Sequence, residues 1–174
     1  MTDDSPTPNV SASDVRSREH ISIYTLHGEP LFFQHFDGPF FPTLRLLHKC
    51  ASSSSLHSTL ALRSRPTTGE MSAARLEAIW HERAADVDRG AIRFLLAGAH
   101  MMCPGFTSAG GSLPPPDQAL PANTPVAIHA EGKEHAVGIG ITKLGTEEIK
   151  SVNKGVGVET VTYLGDDLWK LLSL

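Results

Sequence analysis

Cysteine is nearly absent from this chain: its 174 residues include two, Cys50 and Cys103, far apart in sequence. That scarcity argues against a disulfide framework and makes a reducing, cytoplasmic setting the expectation. No apolar run approaches about 18 residues, which excludes a transmembrane helix. The opening stretch, MTDDSPTPNVSASDVRSREH, is acidic and polar and lacks the apolar centre of a secretory signal; residues 1–18 read as a disordered tail. Excess positive charge is missing as well. The formal net charge is −4, and residues 89–154 hold six basic groups against five acidic ones. Charge alone therefore does not announce a nucleic-acid binder, and a contact with RNA must be local and shaped, or shared with another protein.

The standard catalytic constellations are missing too. There is no phosphate loop of the GK[ST] type, and GIGITK and GVGVET lack the third glycine and the long helix of a dinucleotide fold. Their glycines read as places for bulges or close strand packing. No GxSxG elbow precedes a helix. HERA begins like a zinc-protease helix, but Ala85 stands where the second histidine belongs. Two lone cysteines make no CxxC pair, and His20, His27, His35 and His48 read as surface or turn residues. Neither a catalytic residue, a cofactor nor a metal site is expected.

What is present is a sequence of short elements. Hydrophobic residues make up 40% and charged residues 20%, a balance that supports a buried core. HISIYTL alternates at period two, HGEP reads as a turn and LFFQHF as a second strand, closed by DGP. PTLRLLHK follows as a helix with Pro42 in its first turn and Leu44, Leu47 and His48 on one face. Residues 50–70, CASSSSLHSTLALRSRPTTGE, read as a serine-rich linker or insertion. Residues 71–85 read as an amphipathic helix with Leu76, Ile79 and Trp80 on its apolar side.

A second unit opens near Asp86. Asp88 suits an N-cap, Ile92, Leu95 and Leu96 form one stripe, and Gly98 suits the left-handed position beyond the helix end. AHMMC is a short strand that Pro104 and Gly105 stop. A Pro/Gly-rich loop then leads to VAIHA and EHAVGIGITKL, an antiparallel hairpin turned by EGK. Thr146 reads as the N-cap of a short helix, with Glu147 and Glu148 at its positive end and Lys154 near its negative end. VGVETVTYL is a last strand, and DDLWKLLSL offers Trp169 for packing. Short strands with brief helices between them point to a small mixed β-barrel.

Within this unit, Arg93–Phe106, RFLLAGAHMMCPGF, is neither a nucleotide loop nor a metal site. A helix, a glycine hinge and a strand ending at Pro-Gly expose backbone at one edge. On the residues alone, that edge is either structural or a place where arginine and amides meet phosphates and apolar faces meet bases.

DRGAIRFLLAGAHMMCPGFTS, VAIHAEGKEHAVGIGITKL and VNKGVGVETVTYLGDDLW closely resemble a PUA domain, a small RNA-binding pseudo-barrel. Upstream, EHISIYTLHGEPLFFQHFDGPFFPTLRLLHK narrows the likeness to the malignant T-cell-amplified sequence family. These are eukaryotic cytosolic proteins with an N-terminal pre-PUA and a C-terminal PUA domain. The resemblance implies an α+β, mainly β fold: a PUA pseudo-barrel with short helices over 86–174, preceded by a partial α+β pre-PUA unit over 19–49. Members begin with some tens of additional residues, where this chain has a short polar tail, and join their halves by a brief connector, where it has residues 50–85.

The implied function is binding, not catalysis. Members associate with rRNA and tRNA on the small ribosomal subunit and cooperate with density-regulated protein in initiation, reinitiation and post-termination recycling. Carried onto this sequence, the RNA groove comprises Arg89, Arg93, Gly98, Ala99, His100, Met101, Pro104, Gly105, Lys154 and Gly155. Two other readings are an accessory of an RNA-modifying enzyme and a protein-interaction module without RNA affinity. The first needs a catalytic aspartate in a large domain, for which the residues before the PUA unit leave no room.

Overall fold

The computed structural model describes residues 21–36, 38–57, 79–80 and 83–173, and of 52–57 the backbone alone. Two compact units emerge: one holds the described residues through Thr43 with those from Leu171, the other runs from Leu44 to Lys170.

The first unit is an antiparallel sheet of β1 (Ile21–Leu26), β2 (Glu29–His35) and β3 (Phe40–Pro42), in that order. His27 and Gly28 both take positive φ, 52° and 81°, the twist that a two-residue hairpin turn requires. The third strand goes beyond the two expected, and Pro42 ends it instead of opening the next helix. Phe33 and Phe41 sit opposite each other in the β2–β3 register and stack with ring centroids 5.3 Å apart, both buried. Thr43 closes the sheet: its amide donates to Leu31 O (2.8 Å) and its hydroxyl to Pro30 O (3.0 Å).

In the second unit, α1 (Leu44–His57) runs eight residues beyond Lys49, into the segment read as a linker. Leu44, Leu47 and Cys50, all buried, recur at three-residue spacing, so the apolar face persists as the sequence turns to serine. His48 is half-buried on this helix and not a surface residue: its Nε2 lies 2.7 Å from Ala136 O and its ring stacks on His135. Trp169 receives the Arg45 guanidinium over its ring at 4.5 Å.

A curled mixed sheet follows, ordered β4 (Ala84–Val87), β6 (Pro125–Ala130), β7 (Ala136–Thr142), β8 (Val156–Tyr163) and β5 (Met101–Met102). Only β4–β6 is parallel; the other pairs are antiparallel. The helices are α2 (Arg89–Leu95), α3 (Cys103–Thr107), α4 (Thr146–Val152) and α5 (Asp167–Lys170). Val87, Leu95, Phe106, Ile128, Ile149 and Val158 meet in one core. This is the small barrel-like sheet anticipated from the strand pattern.

Two local details differ from the sequence reading, and a third falls mostly outside the described residues. Ala84 and Ala85 belong to β4, not to a helix reaching residue 85, because they pair with Ala127 and Ile128 across the sheet. The expected helix over 71–78 and 81–82 lies outside the described residues, while Ile79 and Trp80 are helical and Trp80 is buried. The N-cap of α4 is Gly145: its amide donates to the Glu148 carboxylate at 3.0 Å, and Thr146 is buried with its hydroxyl accepting from Leu120 N.

Candidate nucleic-acid interface

Asp88 starts the site. Its Oδ1 accepts from Ala91 N at 2.9 Å, the N-cap bond that opens α2, and its Oδ2 accepts from Ser108 Oγ at 2.6 Å. The Ser108 hydroxyl, with the Ala91 and Gly90 amides, holds the carboxyl below its ordinary range. One carboxylate thereby ties the start of α2 to the end of α3. Gly105 completes the joint: its carbonyl accepts from Asp88 N at 3.0 Å, and a side-chain carbon there would meet Ala91 Cβ at 3.3 Å.

After α2, Gly98 takes φ +84° against the Tyr163 ring. From there, residues 98–103 run antiparallel to 155–163. Thr160 donates from its hydroxyl to Ala99 O (2.9 Å) and from its amide to His100 Nδ1 (3.2 Å). Met101 and Met102 pair with Val158 and Val156. The Cys103 amide donates to Gly155 O at 2.9 Å and its thiol to Lys154 O. Burial pushes the Cys103 thiol up, which suits an inert packed cysteine. Gly155 stands at φ +80° with open space beside it, and Thr107 Oγ1 reaches Asn153 Oδ1 at 2.5 Å.

Eight of the ten residues singled out in the sequence thus lie on one edge: Gly98, Ala99, His100, Met101, Pro104, Gly105, Lys154 and Gly155. Met101, however, is buried at 2% exposure, and the methionine that faces outward is Met102 at 49%. Val158, the cross-strand partner of Met101, is a core residue, so Met101 points inward with it. Pro104 does not simply end the strand; it sits in the first turn of α3, where its missing amide leaves no bond unmade.

Arg89 and Arg93 stand elsewhere, on a flank of α2 that faces the β6–β7 turn. Arg93 places its guanidinium 4.7 Å over the Phe94 ring, and Arg89 Nε lies 3.7 Å from Glu131 Oε2. Leu96, read as part of the buried stripe, is 44% exposed, and Phe94 is 52% exposed. The helix stops at Leu95, too short to turn Leu96 back to the core. Exposed cations, an exposed aromatic ring and free apolar side chains therefore surround α2 and the adjoining edge. That arrangement can meet phosphates through charge and bases through stacking. Among the described residues, no group of three or more His, Cys, Asp or Glu is placed to hold a metal ion.

Comparison with known proteins settles the lineage. Residues 84–164 match the PUA domain family and residues 6–50 the Pre-PUA-like domain family. The chain is 39% identical over 160 residues to translation machinery-associated protein 20 of Schizosaccharomyces pombe, spanning 92% of this chain and 71% of that protein. It is 43% identical over 157 residues to malignant T-cell-amplified sequence 1 of Rattus norvegicus, spanning 90% and 69%. The chain belongs to the malignant T-cell-amplified sequence family.

Solved structures agree on the fold. A hypothetical protein of the archaeon Pyrococcus horikoshii superposes with a TM-score of 0.64 at 20% identity, covering 94% of this chain and 79% of that one. A PUA domain protein of Thermoplasma acidophilum gives 0.56 at 17% identity, covering 89% and 78%. In this malignant T-cell-amplified sequence protein, the PUA match spans β4 to β8, so the edge built by 98–105 and 154–163 lies within it. No helix among the described residues is long and apolar enough to cross a membrane.

Proposed function

We propose that this protein acts by binding RNA on the small ribosomal subunit, with the edge of β5 and β8 and the outer face of α2 as its contact surface. The observation that supports this reading most is the exposed edge of His100, Met102, Pro104 and Lys154, together with the exposed Arg93–Phe94 pair on neighbouring α2. Gly155 leaves the rim's backbone open to a ligand, Ala99 adds little bulk, and Gly98 and Gly105 let the rim pack closely on Tyr163 and α2. Arg89 extends the cationic side, and Met102 supplies the apolar contact assigned by sequence to Met101.

The membership of the chain in a family with translation-associated names supports the biological setting. On this reading the protein works in the cytoplasm, contacting rRNA or tRNA during initiation, reinitiation and post-termination recycling. A density-regulated-protein-type partner shares the task, which accords with the modest charge of the PUA unit. No chemical step is involved; shape and charge do the work.

The test is association of the full chain with purified small subunits and deacylated tRNA. Arg93→Glu combined with Lys154→Glu is expected to reduce co-sedimentation at least tenfold at low salt and to flatten its salt dependence. Unchanged co-sedimentation of the folded double variant sinks the assignment of this surface. Retained binding of the partner by that variant, with RNA lost, separates an RNA surface from a protein-interaction module.

A further inference from the structure

The flank of α2 that faces the β6–β7 turn carries a distinct cluster of side chains. Arg89, Ile92, Arg93 and Leu96 follow the i, i+3, i+4, i+7 spacing and so share one helical face. That face forms one wall of an open concavity of about 560 Å³, and Glu131, Gly132 and Lys133 of the β6–β7 turn form the other. Three cations and one acid line it. Among the described residues, neither Arg93 nor Lys133 has an ion-pair partner. Arg89 meets Glu131 at 3.7 Å with 78% of its side chain exposed, a solvent-exposed pair for which a phosphate can compete.

The turn itself is rigid where it matters. Lys133 N donates to Ala130 O at 2.9 Å, and Glu131 N donates to Val87 O at 3.0 Å, which pins the turn to the end of β4. Gly132 stands at φ +70° with nothing within 4 Å of its missing side chain, so its backbone is open to an approaching group. Two arginines framing two half-exposed apolar side chains, across from a free lysine and a bare glycine, suit a phosphodiester backbone: anionic groups at the rim, sugar faces between them.

We infer that the RNA strand does not stop at the β5–β8 edge but crosses α2, with Lys133 and Gly132 as a second phosphate contact and Glu131 as an internal competitor for Arg89. This rests on the RNA-binding reading above and adds to it a far side that accepts backbone without reading sequence. Glu131 lowers affinity by holding Arg89 and by repelling phosphate, and the effect fades as salt screens it.

The experiment titrates the full chain with a fluorescein-labelled tRNA transcript and, separately, with purified small subunits, across a range of KCl concentrations. Lys133→Glu and Lys133→Ala are expected to weaken binding roughly three- to tenfold at low salt and to reduce the salt slope by about one, as loss of one phosphate contact requires. Glu131→Gln is expected to tighten binding, with the gain vanishing at high salt. Lys154→Glu, on the edge alone, serves as the reference. If Lys154→Glu weakens binding while the Lys133 and Glu131 variants change neither affinity nor slope, the crossing is refuted and the edge stands. If none of the four variants changes binding, the RNA-binding reading itself falls, and the crossing with it. All four substitutions are on exposed or half-exposed side chains, and an unchanged melting temperature verifies that the folded protein was measured.

Discussion

Gly98 offers a sharp test of what its position demands. Its φ of +84° lies in the left-handed region, and an added Cβ would stand 3.2 Å from the Tyr163 hydroxyl oxygen and 3.4 Å from Cε1. For Gly98→Ala, the backbone penalty is roughly 1–2 kcal/mol. The smaller conformational freedom of an unfolded alanine returns about 0.4–1 kcal/mol. Displacing the hydroxyl by a few tenths of an ångström adds a few tenths of a kcal/mol, for a net loss of about 1 kcal/mol. In a chain of this length, that corresponds to a drop of roughly 2–4 °C in melting temperature. Scanning calorimetry of the variant and of its Tyr163→Phe counterpart separates the two parts. Removing the hydroxyl should relieve the contact but leave the backbone penalty. A variant that melts within a degree of the parent in both backgrounds refutes the claim that this hinge requires glycine.

Two further outcomes follow from charge and burial. Asp88→Asn is expected to destabilise the protein by about 0.3–1 kcal/mol near neutrality, because the amide can still cap α2 but the negative charge at the helix start is gone. Because the folded-state carboxyl titrates below its unfolded value, the wild-type advantage is full above the ordinary carboxylate range, shrinks as pH falls through it and is lost below the lowered folded value; urea melts at pH 7 and pH 3 read the narrowing. His48 is held below its ordinary 6.5, first by burial and then by the neighbouring His135 and Arg45 charges, against the Ala136 carbonyl that raises it. Its contribution is therefore present above pH 6.5 and lost on acidification below it, so melting temperatures at pH 7.5 and 5.5 should converge in a His48→Gln variant relative to the parent.

The PUA half was legible because its signals are local. Asp88 as a cap, the β6–β7 hairpin and the acidic first turn of α4 each declare themselves within a few residues. β4 was not, because AADV has no strand periodicity and exists only through pairing with residues 43 positions away at Ala127. The continuation of α1 was hidden for a related reason: serine has weak helical preference, and the burial of Cys50 at the end of the Leu44–Leu47 row is a tertiary fact. At the candidate interface, the sequence grouped ten residues by chain proximity and resemblance. The fold separates them, keeping eight on one edge, turning Met101 inward, and sending Arg89 and Arg93 to the flank shared with Lys133. A two-residue strand gives too little alternation to choose between Met101 and Met102.

The docking of α1 sets a timetable for synthesis. His48 finds the Ala136 carbonyl 88 positions downstream, and Arg45 finds Trp169 after 124. At roughly 5–20 residues per second, the nascent helix waits about 4–25 s before its resting place has emerged from the exit tunnel. Throughout that interval Leu44, Leu47 and Cys50 lack the shelter of the finished protein, which makes this helix the natural client of a chaperone during translation.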